Sequence, residues 1–196
     1  MSNIAVETWL WIVSLVGTEQ LAVTNVLINV SMLGILPCIG FGIAANTLVS
    51  QSLGRGEPEN AYDWGWDVVK VAAAVSAVMG LFMIVFSNGL LGLFLHEESL
   101  IAMAQWLLII IGAWLAVDAV GLVLMNALQG AGATARVLKV GFTLQWLIAL
   151  PLAYLVGPFL GWGMFAVWMA HLGYRVIQAL WFAYLWRRRD WQTLEL

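Results

Sequence analysis

The feature that most constrains this chain is the length of its uncharged runs. Residues 20–50 contain no Asp, Glu, Lys or Arg, and residues 100–128 contain only Asp118. Each run exceeds the roughly 20 apolar residues that carry a helix across a bilayer. The whole chain follows suit: 63% of its 196 residues are hydrophobic and 10% are charged, with a mean hydropathy of +0.93. A soluble domain carries about 25% charged residues, so this chain has too little polar surface to face water. It reads as an all-α, polytopic membrane helix bundle. Twelve tryptophans fit that reading, because Trp64, Trp66, Trp162, Trp186 and Trp191 fall near segment ends, where indole rings favour the membrane–water interface.

Six spans are expected, over residues 3–16, 20–50, 66–87, 100–128, 138–157 and 161–186. Polar Gly/Pro loops divide them: GRGEPENAYD (54–63), GAGATA (130–135) and VGPFLGWG (156–163) carry turn signals, and Ser99 in HEES (96–99) is a candidate N-cap. Basic residues alternate from loop to loop. Arg55 and Lys70 flank the second loop, Arg136 and Lys139 the fourth, and Arg187, Arg188 and Arg189 follow the last span. Seven of the eight Lys and Arg therefore obey the positive-inside rule for an even number of spans, which puts both termini in the cytoplasm of a plasma (bacterial inner) membrane. The organisation expected is a single transmembrane lobe over residues 1–190, with a cytoplasmic C-terminal tail over 187–196. The first span is the exception. Fourteen residues make about 21 Å of helix against a hydrocarbon core of roughly 30 Å. A chain that begins partway through a membrane helix is expected, the alternative being a short or re-entrant N-terminal helix. No Lys or Arg precedes this run and no small-residue cleavage site follows it, so it does not read as a secretory signal.

Asp118 is the residue with most to explain, since a carboxylate at membrane depth costs a few kcal/mol or more. Trp114, Asp118, Met125 and Gln129 share one stripe of the fourth span, with Gly121 nearby. A stripe with an aromatic, an acid and an amide faces a cavity or another helix. Asp118 reads as a proton- or Na+-binding carboxylate; the alternative is a structural acid hydrogen-bonded to a neighbouring helix. The second span holds Thr24, Asn25, Asn29, Asn46, Thr47 and Ser50. Asn25 and Asn29 are four residues apart and share a face, which suits either interhelical hydrogen bonds or the wall of an aqueous path. Pro37 and Pro151 are candidate hinges or packing kinks. His171 and Arg175 sit one turn apart in the sixth span. Arg175 cannot shed its charge, so it must face protein, water or an acid such as Asp118. Glu7, in the short first span, is read as interfacial rather than as a cavity acid.

Other function classes find no support. There is no basic patch for nucleic acid. Cys38 is the only cysteine, so no intramolecular disulfide can form and no thiolate metal site is built. No GxSxG, HExxH, Walker A or CxxC pattern occurs, His96 and His171 lack metal-ligand spacing, and the GAG at 130–132 follows no strand. The chain is not expected to be an enzyme or to hold a cofactor.

The order of short motifs resembles a known family. LPCIGFGIAANTLVSQSLGRGEPENA (36–61) is similar to the second helix and following loop of the C-terminal half of multidrug and toxic compound extrusion (MATE) transporters. VGTEQLAVTNVLIN (16–29), LFLHEESLIAMAQWLL (93–108), LQGAGATA (128–135) and LPLAYLVG (150–157) resemble further segments of the same half, in order. The closing pattern of an Arg in the last helix, a basic cluster and then Trp191 also fits. The resemblance covers nearly the whole chain and implies one six-helix lobe of a twelve-helix transporter. It implies that Asp118, in WLAVD (114–118), takes part in coupling-ion binding, with Trp114 one turn earlier. The family's acid in the first helix of this lobe would fall at Ser2 rather than at Glu7, and Ala133 replaces a loop aspartate. The function implied is secondary antiport: export of organic cations, drugs or other amphiphiles in exchange for H+ or Na+, with Trp114, Met125, Gln129, Asn25 and Asn29 as cavity candidates. Its partners would be the lipid bilayer, the small-molecule substrate, and a missing N-terminal lobe or a second copy. The alternatives are a non-transporting remnant or assembly partner, and a flippase for a lipid-linked substrate.

Overall fold

The computed structural model of the chain describes residues 3–15, 17–95 and 97–193; Ser2 and His96 lie outside them. All the regular structure among the described residues is helical. In order come α1 (Asn3–Ser14), α2 (Thr18–Gly54), α3 (Pro58–Val85), the short α4 (Ser87–Gly92), α5 (Glu98–Gly130), α6 (Thr134–Thr143), α7 (Leu150–Tyr154) and α8 (Gly163–Arg188), then a 3-10 turn over Asp190–Thr193. Helix is what an apolar chain in lipid must form, since it satisfies each backbone N–H and C=O within its own segment.

Among the described residues, four stretches are long and apolar enough to cross a membrane: 35 residues over Gln20–Gly54, 28 over Pro58–Val85, 33 over Glu98–Gly130 and 24 over Thr134–Gly157. Their outer faces are apolar and bare, with Val78, Leu81 and Val85 each at least 60% exposed. Apolar surface on that scale needs lipid or protein to cover it. The other two expected spans differ from these four. Helix α1 has 12 residues, about 18 Å. Helix α8 has 26, about 39 Å, but His171, Arg175 and Gln178 dilute its apolar character.

The helix ends follow local chemistry. At the end of α2 the Glu57 N–H donates to the Ser52 carbonyl (3.0 Å) and that of Gly56 to Leu53 (2.9 Å), with Gly56 at φ 74°. At the end of α5 the Ala133 N–H donates to Leu128 (2.9 Å) and that of Gly132 to Gln129 (3.0 Å), with Gly132 at φ 79°. Both are Schellman closures around a left-handed glycine. Pro58, whose missing N–H costs nothing at a first helical position, then opens α3.

The single span expected over 138–157 is built differently. Between α6 and α7 lies a π-helical segment, Leu144–Ala149, and after α7 a second, Leu155–Phe159. Pro151 supplies a reason. It has no N–H for the Leu147 carbonyl and its ring crowds that group, and a wider turn relieves both. Pro37, by contrast, lies inside an unbroken α2.

The chain forms two compact units. One comprises residues 1–33, 80–114 and 142–174, the other 34–79, 115–141 and 175–196. In the first unit, α3 and α5 come into backbone contact at Gly80 and Gly112, where a side chain on Gly80 would strike the Gly112 carbonyl. Trp9 meets Trp168 edge to face at 5.2 Å, and the Trp168 indole N–H donates to Thr24 Oγ1 (3.4 Å).

In the second unit, α2 lies close along α5. Gly34 faces Leu115, Gly42 faces Asn126, and Gly130 faces the Asn46 backbone. The matched numbers rise together, so α2 and α5 run parallel there. Helix α8 runs antiparallel to α3. Trp186 packs on Gly65, Arg189 makes two bonds to Glu59 (2.8 and 2.9 Å), and Gln192 Nε2 donates to the Pro58 carbonyl (3.3 Å). The residues expected as a tail thus continue α8 through Arg188. Arg189, at φ 58°, turns the chain back so that Trp191 stacks on Trp186 at 4.2 Å. The Arg189 guanidinium lies 3.9 Å from the Tyr62 ring centroid.

Candidate functional site: an intramembrane ion pair

Asp118 and Gly121 of α5 face α8 in the second unit. Gly121 provides the close approach: a Cβ there would sit 3.1 Å from the Ala179 Cβ. One turn earlier on both helices, Arg175 Nε donates to Asp118 Oδ1 at 2.9 Å. Arg175 also donates through Nη1 to Gln178 Oε1 at 3.0 Å. The two charged side chains are 17% and 18% exposed, and Gln178 is buried. The acid and the base that seemed hardest to place in the sequence therefore neutralise each other. A carboxylate and a guanidinium in low dielectric attract strongly, and each offsets the desolvation of the other.

Further groups flank the pair. Cys38 on α2 hydrogen-bonds Ser76 on α3 across 3.0 Å, and its thiol lies within the electrostatic reach of both Asp118 and Arg175. Two turns further along α5, Asn126 Nδ2 donates back onto its own helix at the Leu122 carbonyl (2.8 Å). Among the described residues, no group of three or more His, Cys, Asp and Glu is placed to hold a metal ion.

The other candidates are distributed as follows. Met125 is half-buried against the apolar core of the second unit, and Gln129 is half-buried one turn further on. Trp114 belongs to the first unit, and its indole Nε1 is buried without a partner among the described residues. Asn25 and Asn29 also belong to the first unit and are exposed, as is Glu7 on α1. His171, one turn before Arg175, sits among the rings of Trp9 (5.4 Å), Trp168 (6.4 Å) and Tyr174 (5.8 Å) in the first unit. Gln178 and the Cys38–Ser76 pair were not singled out in the sequence. The spacing of Gln178 from Arg175, three residues on one helix, was a signal for the former. No local signal marked the latter, whose partners are 38 residues apart.

Long helices with bare apolar outer faces, two of them joined by an ion pair, define a polytopic membrane protein. The MatE family model matches residues 3–155, and the chain belongs to that family. It is 24% identical over 181 residues to the uncharacterized transporter YisQ of Bacillus subtilis (strain 168), covering 92% of this chain and 40% of YisQ. It is 26% identical to the probable multidrug resistance protein NorM of Pasteurella multocida (strain Pm70), over 73% of this chain and 31% of NorM. With the multidrug resistance protein MdtK of Yersinia pseudotuberculosis (serotype O:1b, strain IP 31758) the identity is 27%, over 74% and 32% of the two chains. Among solved structures, a MOP superfamily transporter from Pyrococcus furiosus superposes with a TM-score of 0.88 at 19% identity, covering 98% of this chain and 44% of that one. A MATE protein in the bent conformation gives 0.87 at 19%, over 95% and 41%. The chain thus spans between about a third and two-fifths of the curated relatives it matches.

Proposed function

We propose that this chain is one lobe of a secondary active antiporter, exporting organic cations, drugs or other amphiphilic small molecules in exchange for H+ or Na+, with Asp118 as the ion-coupling carboxylate. The observation that carries the reading is the Asp118–Arg175 pair. Ionisable groups inside membrane helices mark ion and substrate pathways, and membership of the MatE family and similarity to multidrug resistance proteins supply the transport class. An ion that neutralises Asp118 would weaken its hold on Arg175 and so loosen α5 from α8. That is the kind of two-state contact an exchange cycle needs.

Alternating access requires two bundles moving about a shared site. The second bundle would be a further lobe, on the same polypeptide or a separate one, or a second copy of this chain. The site would lie in the plasma membrane with the C-terminal end cytoplasmic, as the placement of Lys and Arg suggests. The test is Asp118→Asn in the complete transporter, assayed by substrate efflux from vesicles under an imposed ion gradient. The expected outcome is loss of ion-driven efflux with insertion and fold retained. Undiminished ion-driven efflux would remove Asp118 from the coupling role.

A further inference from the structure

The geometry of the pair bears on which ion Asp118 accepts. We propose that Arg175 is a resident counter-cation: its guanidinium fills the place at Asp118 that a coupling Na+ would need, so metal cations are excluded and the proton is left as the ion that neutralises this carboxylate. The inference rests on the reading of Asp118 as the coupling residue and deepens it by choosing between two ions.

Three observations support it. Arg175 holds Asp118 Oδ1 at 2.9 Å, and with its other arm it holds the Oε1 of Gln178 at 3.0 Å. The two oxygens a hard cation would want first are thus already engaged by one guanidinium. A hard cation is held by several oxygens at once, and among the described residues no group of three or more His, Cys, Asp and Glu is placed to hold one. Arg175 is also tethered. A tethered cation competes at a high effective concentration, and it cannot step aside by losing its proton. Sodium arriving at Asp118 must either evict a permanently charged group into a low-dielectric bundle or sit beside it. Both are costly.

A proton costs Arg175 its counter-charge but displaces nothing. It takes the second carboxylate oxygen, forms one O–H bond and leaves Arg175 where it stands, its hydrogen bond to Asp118 weakened because the carboxyl group is now neutral. Cys38, paired with Ser76, is a further titratable group within reach of the pair, and the Cys38→Ser background removes it from the comparison.

The experiment uses the full chain in nanodiscs, with 22Na+ binding by scintillation proximity and thermal unfolding in NaCl against choline chloride at matched ionic strength. The wild type is expected to bind no Na+ saturably and to unfold alike in both salts. Arg175→Met is expected to gain saturable Na+ binding at least about tenfold tighter than any wild-type signal, with a matching Na+-specific rise in unfolding temperature. Adding Asp118→Asn should abolish both gains. Arg175→Lys, which keeps a cation in place, should stay indifferent to Na+. Saturable Na+ binding to the wild type that Asp118→Asn removes would overturn the proposal, even if Arg175→Met does not fold. A folded Arg175→Met that ignores Na+ would overturn it equally. Neither readout involves transport, so a failure here is distinct from the coupling reading failing, which appears only as undiminished efflux in Asp118→Asn.

Discussion

At the scale of single residues, Asp118 and Arg175 depend on each other. Removing one partner leaves a charge at membrane depth without its counter-ion, while removing both leaves two apolar or neutral side chains. Asp118→Asn and Arg175→Met are each expected to destabilise the chain by about 1–3 kcal/mol, between the values for exposed and fully buried pairs. The double substitution is expected to cost less than the sum of the two, and a thermal-unfolding double-mutant cycle reads the coupling. Strict additivity would mean that the pair contributes nothing. The sequence marked both residues as costly, because a charge in a long apolar run is a local fact. That they pair was not legible there: 57 residues separate them, and only the rotation of α5 and α8 about their axes brings them together. The same holds for His171. One turn from Arg175 in sequence, it lies among Trp9, Trp168 and Tyr174 instead.

At the scale of elements, glycines decide how near the helices come and where they stop. Gly80 and Gly112 let α3 and α5 touch backbone to backbone. Gly80→Val forces the helices apart and is expected to cost about 1–3 kcal/mol or more by overpacking, read as a lowered unfolding temperature in detergent. Gly132 and Gly141 make a sharper comparison. Gly132 sits at φ 79°, so Gly132→Ala should destabilise by about 1 kcal/mol. Gly141, within α6, has open space where a Cβ would go, so Gly141→Ala should stabilise by roughly 0.5–1 kcal/mol. Equal effects at the two sites would show that backbone conformation is not the determinant. The loop glycines were readable as turn signals. The π-helical segments around Pro151 were not, because Pro37 presents the same local signal inside an unbroken α-helix.

At the scale of the whole molecule, direction is the quantity to test. Helices α2 and α5 run parallel in their unit, as do α5 and α8, whose contacts 118–175 and 121–179 rise together. Alternating spans require that of the second, fourth and sixth, and the proposed topology has the turn between α2 and α3 and the C-terminal end facing the cytoplasm. In a Cys38→Ser background, Asn60→Cys should resist a membrane-impermeant maleimide in intact cells and react after lysis, while Asn88→Cys should react in intact cells. The reverse pattern would invert the topology. Trp191, buried against Trp186, should act as a clasp between α8 and the start of α3. Trp191→Ala is expected to cost about 3–5 kcal/mol, with proteolysis near Arg187–Arg189 rising as a second readout. The sequence alone determined that the chain is a membrane helix bundle, which glycine turns close α2 and α5, and which residue types are out of place in lipid. Those follow from transfer free energy and turn chemistry, which act over a few residues at a time. Only the tertiary structure decided that Arg175 neutralises Asp118, that Gln178 shares the guanidinium, and that glycine pairs set the helix contacts. These depend on the register and rotation of helices dozens of residues apart, which packing across the bundle selects and no local run of sequence encodes.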